Sequence, residues 1–377
     1  MLNTLKPFIQ EAWNKSGFQS AAAIQEKAIP VILEGKDVLA ESPTGTGKTL
    51  AYLLPLLQKI DADSQSLQAV VLASSQELAM QIFKEFQKWS ENSGIRGASI
   101  IGGANPKRQL EKLKKRPHII FATPGRLLEL INQKKVKMHE VKLLVLDEGD
   151  QLLVAEHYST VQNIIKPTMG DRQIVLFSAT LKPETEQKAK EIMKDPEIIK
   201  IDQQAAGSGD VEHIYFMCER RDKIKLLEKI ARLEKSKSLA FINDIGELEI
   251  FNQKLGFKDL SVGILHSDMK KLDRQSTLKS FRNGEIGMLA ATDVAARGLD
   301  IEGISHVVNV DFPKDLAQYV HRAGRTGRMG ANGIVISLVT EREERELKRF
   351  SKELKVSLHK RIFHKGQIAV PEEKLKR

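Results

Sequence analysis

The sequence predicts an α/β protein of two tandem domains, each a mainly parallel sheet flanked by helices. Three observations carry this prediction. A length of 377 residues suits two domains better than one. Short apolar runs alternate with amphipathic stretches, the pattern of parallel strands covered on both faces. A small-residue stretch without periodicity, QQAAGSGD at 203–210, interrupts the alternation as a flexible linker would. The expected organisation is a first domain at 1–202, the linker at 203–210, a second domain at 211–349 and a short basic extension at 350–377.

In chain order, the first series of strand candidates is DVLA (37–40), AVVLA (69–73), HIIFAT (118–123), KLLVLD (142–147) and QIVLFSAT (173–180). Helical patterns such as QELAMQIFKEFQKWSENSG lie between them. The second series is EHIYFMC, SLAFIN, SVGILH, IGMLAAT, HVVNV and GIVISLV. From 341 the pattern turns charged and helical (EREERELKRFSKELK), and residues 350–377 hold eight Lys/Arg against three Asp/Glu.

Hydrophobic residues make up 41% of the chain, enough for two cores, and the net charge of +10 favours a polyanionic partner. Aromatics at 5% argue against a base-stacking platform. Cys218 is the single cysteine, which excludes an intramolecular disulfide and a multi-cysteine zinc site. No secretory signal pattern opens the chain, and no apolar run approaches the roughly 20 residues of a membrane span. A cytoplasmic protein without membrane contact is expected.

The sharpest chemical signal is SPTGTGKT at 42–49, after the strand DVLA and before the helical LAYLLPLLQKI. Strand, glycine loop, Lys-Thr and helix together describe a phosphate cradle. Gly45 and Gly47 admit phosphate oxygens to backbone N–H groups, Lys48 reaches the β- and γ-phosphates, and the Thr49 hydroxyl is placed for Mg²⁺. Ser42 stands where the strict pattern has glycine. Such a site needs an acid at the end of a neighbouring strand to hold Mg²⁺, and KLLVLD supplies Asp147. Glu148 beside it can orient an attacking water.

The stretch DEGD at 147–150 resembles the DEAD tetrad of the DEAD-box RNA helicases, and further motifs of that family follow in order over roughly 8–345. GFQSAAAIQEKAIP is similar to the adenine-recognition segment, which implies a stacking role for Phe18 and base reading by Gln25. SSQELAMQ stands where the family has PTRELA. Gly102, Gly103 and the run Thr123, Pro124, Gly125, Arg126 resemble RNA-contact loops. SAT (178–180), AFIN (240–243), HSDMKKLDR (266–274), ATDVAARGLDI (291–301) and HRAGRTGR (321–328) complete the set.

The resemblance implies two RecA-like domains with one ATP site in the cleft between them. The nucleotide-binding residues would be Phe18, Gln25, the loop Ser42, Pro43, Thr44, Gly45, Thr46, Gly47, Lys48, Thr49, and Asp293 as the acid that reads the ribose. Thr49 and Asp147 would hold Mg²⁺, and Arg325 and Arg328 would act as arginine fingers. Arg274, Thr292 and Arg297 join the RNA contacts; Asp150, Ser178, Thr180 and His321 couple hydrolysis to closure. Four guanidinium and imidazole groups in HRAGRTGR, Arg322 among them, are a density suited to phosphate.

Several positions depart from the family pattern: Gln76 replaces its arginine, Lys271 a glutamine, Ala22 and Ala23 a Thr-Pro, and Ala323 an isoleucine. None removes a catalytic group. The expected activity is ATP-dependent remodelling or local unwinding of short RNA duplexes by a monomer, through backbone contacts with little sequence preference. An RNA clamp with rare turnover and a DNA translocase are the competing readings. By family analogy a compact bacterial member acts on ribosomal RNA or pre-ribosomal particles. Gly149 is expected to be a small-residue position at which alanine is tolerated.

Overall fold

The computed structural model describes residues 4–201, 210–233, 236–256, 260, 262–296, 299, 301–327 and 331–371. Arg297, Arg328 and all of the expected linker except Asp210 lie outside them. The chain divides into two units, Met1–Gly207 with Gly298–Asp300, and Ser208–Arg297 with Ile301–Arg377.

The first unit is built on a seven-stranded sheet in the order β3-β4-β2-β5-β6-β1-β7, every pair parallel. Its strands are β1 (Val38–Glu41), β2 (Ala69–Ala73), β3 (Gly97–Ile100), β4 (Ile119–Ala122), β5 (Leu143–Asp147), β6 (Gln173–Ser178) and β7 (Glu197–Lys200). The side-chain period of two sorts each strand between two cores. Val71, Phe121, Val145 and Phe177 pack beneath the helices Ala23–Leu33, Lys48–Lys59 and Gln76–Trp89. Their neighbours Leu72, Ile120, Leu146 and Leu176 face the helices Pro124–Asn132 and Ala155–Ile165. Continuous burial along β2, β4, β5 and β6 is what the apolar runs predict.

Two edge strands were not expected. β3 reads GASI and packs Gly97 against the Phe86 ring, so tightly that a Cβ would lie 2.4 Å from it. β7 reads EIIK and buries only Ile199. A strand with one covered face or small side chains shows no apolar run.

The second unit repeats the architecture: β8 (Val211–Met217), β9 (Ser238–Phe241), β10 (Val262–Leu265), β11 (Met288–Ala291), β12 (His306–Asn309), β13 (Gly333–Val339) and β14 (Leu358–Lys360), in the order β10-β11-β9-β12-β13-β8-β14. All of its pairs are parallel. Among the described residues no helix is long and apolar enough to cross a membrane.

The C-terminal stretch corrects the expected boundary at 350. Phe350 is buried inside the helix Glu341–Leu354, which Thr340 caps through its hydroxyl and Glu343 closes from the other side. β14 then joins the outer edge of β8, and a hairpin of β15 (Ile362–His364) and β16 (Gln367–Ala369) follows. Phe363 stacks on Phe216 at 5.0 Å and, with Ile368, packs against the core of the unit. Lys360, Arg361 and Lys365 ride on a strand and hairpin that belong to the fold. Deleting 356–377 is therefore expected to destabilise the second unit by about 2–4 kcal/mol, the scale of losing one aromatic anchor and its neighbours. Calorimetric melting of the truncated chain checks this; unchanged melting would mean that the stretch is a free arm.

Candidate functional site

The expected motifs of the first unit, apart from the adenine segment at 17–30 that precedes β1, stand at or just past the C-terminal end of a strand, the edge at which parallel α/β sheets bind ligands. β1 leads into Ser42, β3 into Gly102, β4 into Thr123, β5 into Glu148, and β6 ends at Ser178. The helix that follows β1 begins at Lys48, so its first N–H groups point into the loop.

The loop is held by its own hydroxyls. Ser42 is fully buried, and its Oγ lies 2.6 Å from Thr46 Oγ1, which donates to the Pro43 carbonyl at 2.8 Å. Serine therefore suits position 42, where the backbone needs no positive φ. Gly47 does need one, at φ +90°, and a Cβ there would sit 2.5 Å from Gln25 Nε2. That amide donates to the Gly47 carbonyl at 3.2 Å and accepts the Ala22 N–H at 3.0 Å, tying the expected adenine segment to the loop. Lys48 Nζ donates to the carbonyls of Ser42 at 2.6 Å and Pro43 at 3.2 Å. Phe18 is exposed and lies nearly parallel to Trp89, with ring centroids 6.5 Å apart.

Asp147 ends β5 almost fully buried. Tyr52 donates its phenol proton to Oδ2 at 2.8 Å, and the Glu148 N–H donates to Oδ1 at 2.9 Å. Burial, with the Glu148 charge adding to it and Lys48 opposing, pushes the Asp147 carboxyl up to about 6. Tyr52 lies on the helix that begins at Lys48, so its bond ties the helix of the phosphate loop to the strand acid. Glu148 takes a left-handed backbone, φ 55° and ψ 54°, and Ser74 donates its hydroxyl proton to the Glu148 carboxylate. Asp150 turns toward SAT: its N–H donates to Ser178 Oγ, and Thr180 Oγ1 donates to its Oδ2, both at 3.2 Å.

The loops expected to face RNA are joined by Gln109, a buried amide that the sequence reading passed over. Its Nε2 donates to the Ile101 carbonyl at 2.8 Å and the Ala104 carbonyl at 3.2 Å, on either side of Gly102 and Gly103. Its Oε1 accepts from Arg126 Nε at 3.2 Å, and Arg126 also pairs with Glu129. Gln76 borders the same loop, 3.3 Å from where a Gly102 Cβ would be.

In the second unit the structure corrects the reading of Arg322. Its guanidinium is 2% exposed, not presented to phosphate, and grips both oxygens of Asp293 at 2.7 and 2.6 Å. It also donates to Asn309 Oδ1 at 3.0 Å, the Asp311 carbonyl at 2.7 Å and Asn243 Oδ1 at 3.2 Å. Arg274 donates to the Ala295 carbonyl at 2.9 Å, and the Ala295 N–H donates to Thr292 Oγ1 at 3.3 Å. Arg325 is buried and His321 half-buried.

The chain matches the DEAD/DEAH box helicase family at residues 22–189 and the helicase conserved C-terminal domain at 222–330. It is 52% identical to the probable ATP-dependent RNA helicase YfmL of Bacillus subtilis, across 97% of each chain. The chain is a DEAD-box ATP-dependent RNA helicase. A second relative, the DEAD-box ATP-dependent RNA helicase CshC of Bacillus cereus, is 48% identical over 98% of this chain and 94% of its own. Among solved structures, S. cerevisiae Dbp5 bound to RNA and ADP BeF3 superposes with a TM-score of 0.87 at 30% identity, covering 95% of this chain and 94% of that one. Two RecA-like domains and RNA-dependent ATP hydrolysis come with the family.

The glycine of DEGD has a reason in this helicase that the sequence did not disclose. The left-handed residue is Glu148, while Gly149 has ordinary backbone and opens the short helix Gly149–Leu152. A Cβ on Gly149 would lie 2.3 Å from Leu176 Cδ2 and 2.7 Å from its Cγ, and Leu176 is fully buried. The expected tolerance of alanine is therefore withdrawn. Gly149→Ala is expected to destabilise the first unit by about 1–3 kcal/mol through overpacking. Adding Leu176→Val should recover part of the loss in thermal melting. A melting temperature at or above wild type for the single variant would contradict this.

Proposed function

We propose that the edge formed by the loop 42–49 and the end of β5 binds and hydrolyses ATP, and that the two units use this cycle to remodel short RNA duplexes. The observation that carries the reading is the hydrogen bond from Tyr52, one turn along the helix from Thr49, to Asp147, which ties the helix of the phosphate loop to the strand acid. One carboxylate and one hydroxyl suit Mg²⁺, which takes few protein ligands and completes its shell with phosphate oxygens and water. Among the described residues no cluster of three or more His, Cys, Asp or Glu offers a self-sufficient metal cage, which fits an ion held jointly with a substrate. Bound there, Mg²⁺ would supply positive charge to neutralise the nucleotide's phosphates.

In this reading Lys48 leaves the carbonyls of Ser42 and Pro43 for phosphate oxygens, and Glu148 orients the water. Phe18 and Gln25 hold the adenine, Asp293 the ribose, and Arg325 and Arg328 act as fingers on the transferred phosphoryl group. Asp150, Ser178, Thr180 and His321 report hydrolysis to the rest of the protein. The RNA backbone is met by Gly102, Gly103, the N-terminus of the helix at Pro124, Arg274, Thr292 and Arg297. Ribosomal RNA within assembling particles is the proposed substrate of the monomeric enzyme, on family analogy and the charge of +10.

Lys48→Ala is expected to lower RNA-stimulated ATP hydrolysis by about 10²-fold or more, since it removes charge where the transition state develops it. Glu148→Gln is expected to keep ATP binding and to remain trapped on RNA in ATP. Equilibrium nucleotide titration, steady-state hydrolysis and RNA dissociation kinetics on the same preparations check both. Rapid RNA release by Glu148→Gln in ATP would exclude the water-orienting role.

A further inference from the structure

We propose that Ser74 is a positioning residue for Glu148, holding its carboxylate in the orientation that directs water at the bound nucleotide. The inference rests on the proposed role of Glu148 and adds a residue that the family pattern does not assign, since PTRELA has no hydroxyl at this position.

The placement follows from sheet register. β2 and β5 are hydrogen-bonded neighbours with Ala73 opposite Asp147, so the next residues, Ser74 and Glu148, leave the sheet side by side. The two consecutive serines divide the available work. Ser75 caps the helix Gln76–Trp89, its Oγ accepting the Leu78 N–H at 3.1 Å. Ser74 is one residue too early for that task, and its hydroxyl donates to Glu148 Oε2 instead.

The backbone of Glu148 is already determined. Its N–H donates to Asp147 Oδ1, and its carbonyl accepts the N–H groups of Gln151 at 2.8 Å and Leu152 at 3.1 Å. These contacts keep a non-glycine residue in the left-handed region, a conformation that persists only when its surroundings impose it. They set where the side chain starts but not how its three torsions run. A glutamate is among the side chains with most rotamer freedom to lose, and a donor at its far end selects among those rotamers. A half-buried hydroxyl next to the carboxylate performs this selection without adding charge beside Asp147.

The test compares Ser74→Ala, Ser74→Thr, Glu148→Gln and the Ser74→Ala/Glu148→Gln double variant in the full chain, by RNA-stimulated ATP hydrolysis and thermal melting. Ser74→Ala is expected to lower kcat about five- to tenfold with the KM for ATP within about twofold, the pattern of an interaction used in the transition state. Ser74→Thr, which keeps the hydroxyl, is expected to restore most of kcat, and Ser74→Ala should cost nothing further when Glu148→Gln is already present. A wild-type kcat for Ser74→Ala beside a collapsed kcat for Glu148→Gln overturns the inference and leaves the role of Glu148 standing. Wild-type turnover by Glu148→Gln overturns both. Equal losses in the Ala and Thr variants with lowered melting would make Ser74 a packing residue, which also overturns the inference.

Discussion

The parallel register of the four central strands of the first sheet is the constraint on which the site depends. Ala73, Asp147, Phe177 and Ala40 stand opposite one another along the row β2-β5-β6-β1. One residue further along, Ser74 and Glu148 leave the sheet while Ser178 and Glu41 form the last pair of β6 and β1, and the phosphate loop begins directly after Glu41. No two of these come from the same strand. A slip of one residue in β5 would turn Asp147 to the opposite face and bring Leu146 to Tyr52. The continuous apolar burial of these strands therefore sets the geometry of the chemistry as well as stabilising the unit.

The second unit solves the same problem with a buried cation. Arg322 reaches from the helix Leu316–Ala323 to the ends of three adjacent strands: Asn243 beyond β9, Asp293 beyond β11, and Asn309 with Asp311 at β12. Its guanidinium lies over the Phe241 ring at 4.7 Å. Burying such a charge is costly unless nearly every donor is satisfied, and here a bidentate carboxylate and three further acceptors do so. The arrangement makes Arg322 a fixed support for its motif and gives Asp293 a structural partner beside any role toward a nucleotide.

Much of this was legible from residues alone, for reasons that also mark where legibility ends. The loop 42–49 was readable because glycine, lysine and threonine at fixed spacing have few other uses. The central strands were readable because both of their faces are covered. β3, β7 and the C-terminal strand and hairpin were not, since edge elements mix small, charged and apolar residues. Tyr52 could have been found as the polar residue three positions after Thr49 on an otherwise apolar helix, where such pairs share a face. Ser74 becomes visible only once β2 is aligned with β5. Arg322 looks like its motif neighbours in sequence, and only burial separates a structural guanidinium from the rest. The exclusion of alanine at Gly149 lies in the position of Leu176, 27 residues away in the chain.

The central claim is that this edge hydrolyses ATP under the control of RNA. The most direct measurement is the steady-state ATPase rate of the unmodified full chain, without nucleic acid and with saturating RNA or DNA of the same sequence. The account predicts a rate that RNA raises by about tenfold or more and that DNA leaves near its basal value, since the RNA-specific 2′-hydroxyl distinguishes the two backbones. A basal rate already equal to the RNA-stimulated one, or equal stimulation by DNA, would contradict it.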